Sequence, residues 1–205
     1  MRFREFESRI RALPTFNLND VRKLDPGFHR QQLNYWLNQG YIKPLAGGYY
    51  ILADQAMDEM LLFMVANKIY EPSYVSLESA LAYYEIIPET VLGVTSISSR
   101  KTKQYESAWG VFSYRSIKPQ TMIGYQVIKN SPGIKFKIAY LEKALLDYLY
   151  LNSEIQSLAN FEGLRWNREQ LHDLLDRSIF SKYINLFDKR ALEHRINLFL
   201  EYLNA

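Results

Sequence analysis

Pro72-Ser73-Tyr74-Val75-Ser76-Leu77-Glu78-Ser79-Ala80-Leu81-Ala82-Tyr83-Tyr84 is the hinge on which the chain divides. Ser76 suits the N-cap of a helix from Leu77 to about Tyr84, and Glu78 in its first turn complements the helix dipole. Before this stretch, Met57 to Tyr70 contains no Gly or Pro and predicts another helix. After it, Pro88 to Lys129 changes period. Val91–Ile97, Tyr105–Ile117 and Met122–Lys129 are rich in β-branched and aromatic residues and broken by glycines, so they predict strands. Ser131-Pro132-Gly133 predicts a turn, and Lys135–Ile138 leads into a helix around residues 139–151. From Asn167 to Ala205 the pattern is helical. The expected class is α+β: a small sheet wrapped by helices over residues 56–205, joined near Asp54-Gln55-Ala56 to a separate unit over residues 1–55.

The N-terminal unit carries the charge imbalance. Residues 1–55 hold eight Lys and Arg against five acids, which leaves +3, while the other 150 residues carry 17 of each sign. Phe3, Phe6, Ile10 and Leu13 recur at helical spacing until Pro14 ends the segment. Asn17 or Asn19 can cap a short helix that buries Leu18, Val21 and Leu24. Asp25-Pro26-Gly27 turns the chain into a third helix, about Phe28 to Asn38, stopped by Gly40. Leu33, Trp36 and Leu37 point inward on that helix, and Arg30, Gln31, Asn34, Tyr35 and Asn38 point outward. No acid interrupts the outward set. Asn and Gln pair bidentately with adenine and Arg with guanine in the major groove. Tyr41–Leu45 and Tyr49–Leu52 flank Ala46-Gly47-Gly48 and predict a β-hairpin with an exposed tip. Three helices and a hairpin predict a winged helix-turn-helix that contacts DNA through Arg22, Lys23, Arg30, Gln31, Asn34, Tyr35, Asn38, Lys43 and Gly47.

Composition excludes several classes. The 205 residues contain no cysteine, so disulfides, thiolate nucleophiles and cysteine-ligated zinc are unavailable. The N-terminus lacks the apolar core of a signal peptide, and Met60–Ala66 is too short to cross a bilayer, so a cytoplasmic protein without membrane contact is expected. His29, His172 and His194 are scattered without metal-ligand spacing. Phosphate-binding loops, GxSxG elbows and the Gly-Ser plus Asp-x-Asp set of nucleotidyltransferases are missing. No catalytic residue, metal or cofactor is expected. Glu142 and Asp147 are five apart and do not share a helix face, whereas Lys143 and Asp147 are four apart and predict a surface pair.

One further cluster is unassigned by that logic: Ser98-Ser99-Arg100-Lys101-Thr102-Lys103-Gln104-Tyr105, followed by Ser113-Tyr114-Arg115 and Lys118. Cations interleaved with tyrosines can hold a nucleic-acid backbone and stack a base. They can equally be a solvated basic loop whose tyrosines pack on the sheet.

A basic DNA-reading head followed by PSYVSLESAL and then by Glu142-Lys143-Ala144-Leu145-Leu146-Asp147 resembles the AbiEi family of antitoxins and transcriptional regulators across nearly the whole chain. The resemblance implies an antitoxin of a type IV toxin–antitoxin, or abortive-infection, system used in phage defence. Such a protein represses its own operon by binding inverted repeats in its promoter. It also antagonises an AbiEii-type nucleotidyltransferase toxin without forming a stable complex. Residues 56–205 would then be the antitoxin domain, with Arg100, Lys101, Lys103, Arg115 and Lys118 as its antitoxicity patch. The alternative is a stand-alone winged-helix regulator whose C-terminal domain senses a ligand or dimerises.

Overall fold

The computed structural model of the protein describes residues 1–88, 92–131, 133–187 and 189–204, with backbone alone at 130–131 and 189–191. Val91 and Ala205, which bound predicted elements, and Pro132, at the centre of the predicted turn, fall outside the described residues. The chain is α+β, with a three-stranded and a six-stranded sheet.

Residues 1–52 build the smaller sheet and the helices around it: α1 (Phe3–Ile10), β1 (Phe16–Asn17), α2 (Leu18–Leu24), α3 (Arg30–Asn38), β2 (Ile42–Pro44) and β3 (Tyr49–Leu52). Asn17 is the residue that caps α2. Its side chain accepts from the Asn19 and Asp20 N–H groups, and Asp20 accepts in return from the Asn17 N–H. The two-residue strand β1 escaped the periodicity. It pairs with β3, giving the order β1-β3-β2. Trp36 anchors the apolar interior, stacked on Phe6 at 4.5 Å and edge-on to Phe3 at 5.4 Å.

The remainder forms α4 (Glu59–Ile69), β4 (Ser73–Val75), α5 (Leu77–Tyr83), β5 (Gly93–Ser98), β6 (Lys103–Ser107), β7 (Gly110–Ser116), β8 (Tyr125–Ser131), β9 (Ile134–Ala139), α6 (Leu141–Leu151), α7 (Leu158–Gly163), α8 (Arg168–Leu174), α9 (Arg177–Ile184) and α10 (Lys189–Asn204). Six strands lie in the order β6-β7-β5-β4-β9-β8, a wider sheet than expected. The single strand predicted over Tyr105–Ile117 is two, folded back at Ala108-Trp109. The helical stretch expected from Asn167 is three helices, α8, α9 and α10, with Asn167 and Asp176 capping the first two.

β4 changes the meaning of the opening motif. Ser73-Tyr74-Val75 is an inner strand, antiparallel to β5 and parallel to β9. Strand alternation sends Tyr74 toward α6, whereas Phe136 of β9 meets Phe63 of α4 on the other face. At the start of β5, Gly93 (φ +100°) lies opposite Val111 so closely that an added Cβ would sit 2.2 Å from the Val111 carbonyl oxygen. Gly110 (φ +103°) approaches Gly93 from the other strand with the same demand.

Burial gives this fold an alkaline limit. Desolvation pushes the Tyr84 and Tyr148 phenols up to about 12 and raises Tyr74 and Tyr114 as well. A phenol that holds its proton more tightly folded than unfolded contributes stability in full below the ordinary value of 10.0. That contribution is lost as pH rises through the folded value. Denaturant midpoints are therefore expected to fall steeply between pH 10 and 12. Ultraviolet titration of the folded chain should ionise only part of its 16 tyrosines before unfolding. All of them titrating together near pH 10 in a folded chain would contradict this burial.

Candidate nucleic-acid interface

The exposed face of α3 is assembled by its own core. Leu33 and Trp36 are buried, which turns Arg30, Gln31, Asn34, Tyr35 and Asn38 outward, and all five are exposed. Tyr35 is 57% exposed, unusual for so large an aromatic ring. Among the described residues none of the five side chains hydrogen-bonds within the chain, and α3 has no acid in its first turn. Their donors and acceptors are available to a partner. Arg22 and Lys23 are also exposed. Arg22 reaches back toward the Phe28 carbonyl at 3.5 Å, and Lys23 pairs with Asp20 at 3.1 Å, so each cation is partly engaged.

The hairpin departs from expectation. Leu45 and Ala46 are buried in the larger core beside α4 instead of standing free. Gly47 is exposed on one side only, because a Cβ there would come within 2.9 Å of Ile69 on α4. The tip is apolar at Leu45-Ala46, and burial of those side chains outweighs extension into solvent. Lys43 on β2 stays exposed.

The basic cluster splits in two. Along β7 successive side chains face opposite ways, so Tyr114 donates its hydroxyl to the Ala66 carbonyl of α4 at 2.7 Å, while Arg115 donates to the Leu151 carbonyl at the end of α6 at 3.0 Å. Arg115 therefore does not join Arg100, Lys101 and Lys103 in one patch. Arg100 lies 4.2 Å from the Tyr70 ring centroid and donates to the Glu71 carbonyl at 3.0 Å. Tyr70 and Tyr114 are buried, so packing on the sheet, not base stacking, is their place. Lys101, Lys103 and Lys118 are exposed.

The largest correction concerns Lys143 and Asp147. They form no surface pair: both side chains are fully buried, and the contact is an ion pair inside the core. Lys143 also donates to the Tyr74 hydroxyl at 2.7 Å, and Tyr74 and Ser76 each donate to the other Asp147 oxygen at 2.9 Å. Ser76 consequently makes no side-chain cap on α5, although it occupies the N-cap position. Burial pushes the Asp147 carboxyl up, against the opposing pull of Lys143, Ser76 and Tyr74. Burial pushes the Lys143 ammonium down, with Asp147 opposing. Glu142 faces elsewhere and accepts the Asp176 N–H at 2.9 Å, fixing the start of α9. One signal in the sequence did announce this. In LEKALLDYLYL every residue but Glu142, Lys143 and Asp147 is apolar or tyrosine, the pattern of a helix buried all round.

His29 sits at the N-cap of α3, and His172 and His194 lie on α8 and α10. No described helix is long and apolar enough to cross a membrane. No protein-family model matches the chain, and no curated protein matches it in sequence.

Proposed function

We propose that the protein is a non-enzymatic, cytoplasmic DNA-binding regulator of the AbiEi kind. Its residues 1–55 form a winged helix-turn-helix, and its residues 56–205 form an antitoxin domain. The observation that carries the DNA-binding half is the outward face of α3, where five exposed hydrogen-bonding side chains without an acid stand on a helix supported by Trp36. The order helix, strand, helix, helix, strand, strand, with β1-β3-β2 pairing, supports the winged form. Docking of the hairpin tip on α4 leaves base reading to α3 and backbone contact to Lys43, Arg22 and Lys23. The antitoxin half rests on the resemblance of residues 72–84 and 142–147 to AbiEi, and antagonism of a nucleotidyltransferase without a stable complex belongs to that half.

Fluorescence anisotropy on the promoter of the chain's own operon tests the first half. Arg30→Ala and Asn34→Ala should each cost about 1–3 kcal/mol at the matching base pair and relax specificity there. Lys43→Ala should weaken all duplexes alike and reduce the salt slope by about one unit. Wild-type binding by both α3 variants would remove α3 from the interface. Growth rescue in cells that express an AbiEii-type nucleotidyltransferase tests the second half, and failure of the full chain to rescue would remove it.

A further inference from the structure

Between the β2–β3 hairpin and the β6–β7 turn runs a groove of about 430 Å³, within the size range of small-molecule sites. One wall is Lys43, Pro44 and Leu45, and the other is Glu106 with Trp109. Lys43 and Glu106 carry opposite charges, yet among the described residues neither enters an ion pair. Trp109 is half-buried on a turn held by its backbone, where the Trp109 main-chain N–H donates to the Ser107 hydroxyl at 3.1 Å and that hydroxyl donates to the Gly110 carbonyl at 2.8 Å. Trp109 thus lines the groove together with a cation on one wall and an anion on the other, and that combination matches a particular ligand chemistry. The carboxylate of the ligand would meet Lys43, its ammonium would meet Glu106, and a flat apolar body would lie against Trp109 and Pro44.

We infer that this groove binds a small zwitterion with an aromatic side group, an aromatic amino acid in chemical class. A carboxylate on Lys43 occupies the cation that a DNA phosphate would otherwise use, so the bound zwitterion weakens DNA binding. That coupling, though not the site, rests on the DNA-binding function proposed above.

L-Phenylalanine is the probe, because it adds no indole of its own. Trp36 and Trp166 are only 2% and 4% exposed, so a change in tryptophan emission reports Trp109. Titration of the full chain should give a saturable change. Phenethylamine, which lacks the carboxylate, and hydrocinnamate, which lacks the amine, should each bind about three- to fivefold more weakly, the worth of one exposed ion pair. Glu106→Gln and Lys43→Gln should weaken phenylalanine by a similar factor, and as exposed substitutions they should leave the fold intact. Absence of a saturable change, or equal binding of phenethylamine and phenylalanine, overturns the site. With the promoter duplex present, saturating phenylalanine should lower DNA affinity, and unchanged affinity overturns the coupling. A chain that binds no duplex at all counts against the DNA-binding proposal, while the emission titration still decides the site.

Discussion

Asp147→Ala should destabilise the protein by about 3–5 kcal/mol, since it strands the Lys143 ammonium in a core where, among the described residues, Asp147 is its one ion-pair partner. That is a large share of the roughly 5–15 kcal/mol that holds a typical domain together, so the variant should be partly unfolded at physiological temperature. The same substitution also leaves the Tyr74 and Ser76 hydroxyls without their shared acceptor. Removing the pair as a pair should be far milder. Lys143→Met with Asp147→Leu keeps volume and discards both charges, and such exchanges are often neutral or stabilising. Urea denaturation followed by circular dichroism reads both. A loss below about 1 kcal/mol in Asp147→Ala would mean that water reaches the pair.

Gly93→Ala should be nearly as damaging, for a steric reason. The backbone at φ +100° costs an alanine about 1–3 kcal/mol. The new methyl would also meet Val111 backbone at 2.2 Å, and overpacking of this kind adds about 1–3 kcal/mol more. Backbone cannot rotate aside as a side chain can, so β5 and β7 must separate at that end. Gly48→Ala is the control. It shares the positive φ but has open space around it, so it should carry the conformational cost alone. Thermal melts of the two variants should differ clearly, and equal losses would refute the close approach.

What could be read from the residues alone follows from how far each signal reaches along the chain. The face of α3 was legible because helical periodicity is local: Leu33 and Trp36 inside require Asn34 and Tyr35 outside. The α+β class was legible for the same reason. β4 was not, because three residues show no period, and its place as an inner strand depends on β9, more than fifty residues later. Lys143 and Asp147 read as a surface pair since their i, i+4 spacing is the same on an exposed helix. What buries them is Tyr74, about seventy residues upstream, and Phe187, over whose ring the ammonium lies. Arg115 was misjudged by strand alternation rather than by distance, since adjacency to Tyr114 in sequence places it on the opposite face.

The position of β4 sets an order of events during synthesis. The apolar cluster around Trp36 is complete once Leu52 has emerged from the ribosome, so the first unit can pack while the rest is still being made. β4 emerges soon afterwards but has to wait for β5 on one side and for β9, ending at Ala139, on the other. Its acceptor Asp147 arrives later still. A nascent chain, or a truncated product ending anywhere between Ser98 and Ile134, therefore exposes the unpaired β4 edge, with its otherwise buried Tyr74 and Val75. Ribosome stalling in that window should yield aggregation-prone fragments that still carry a folded α3.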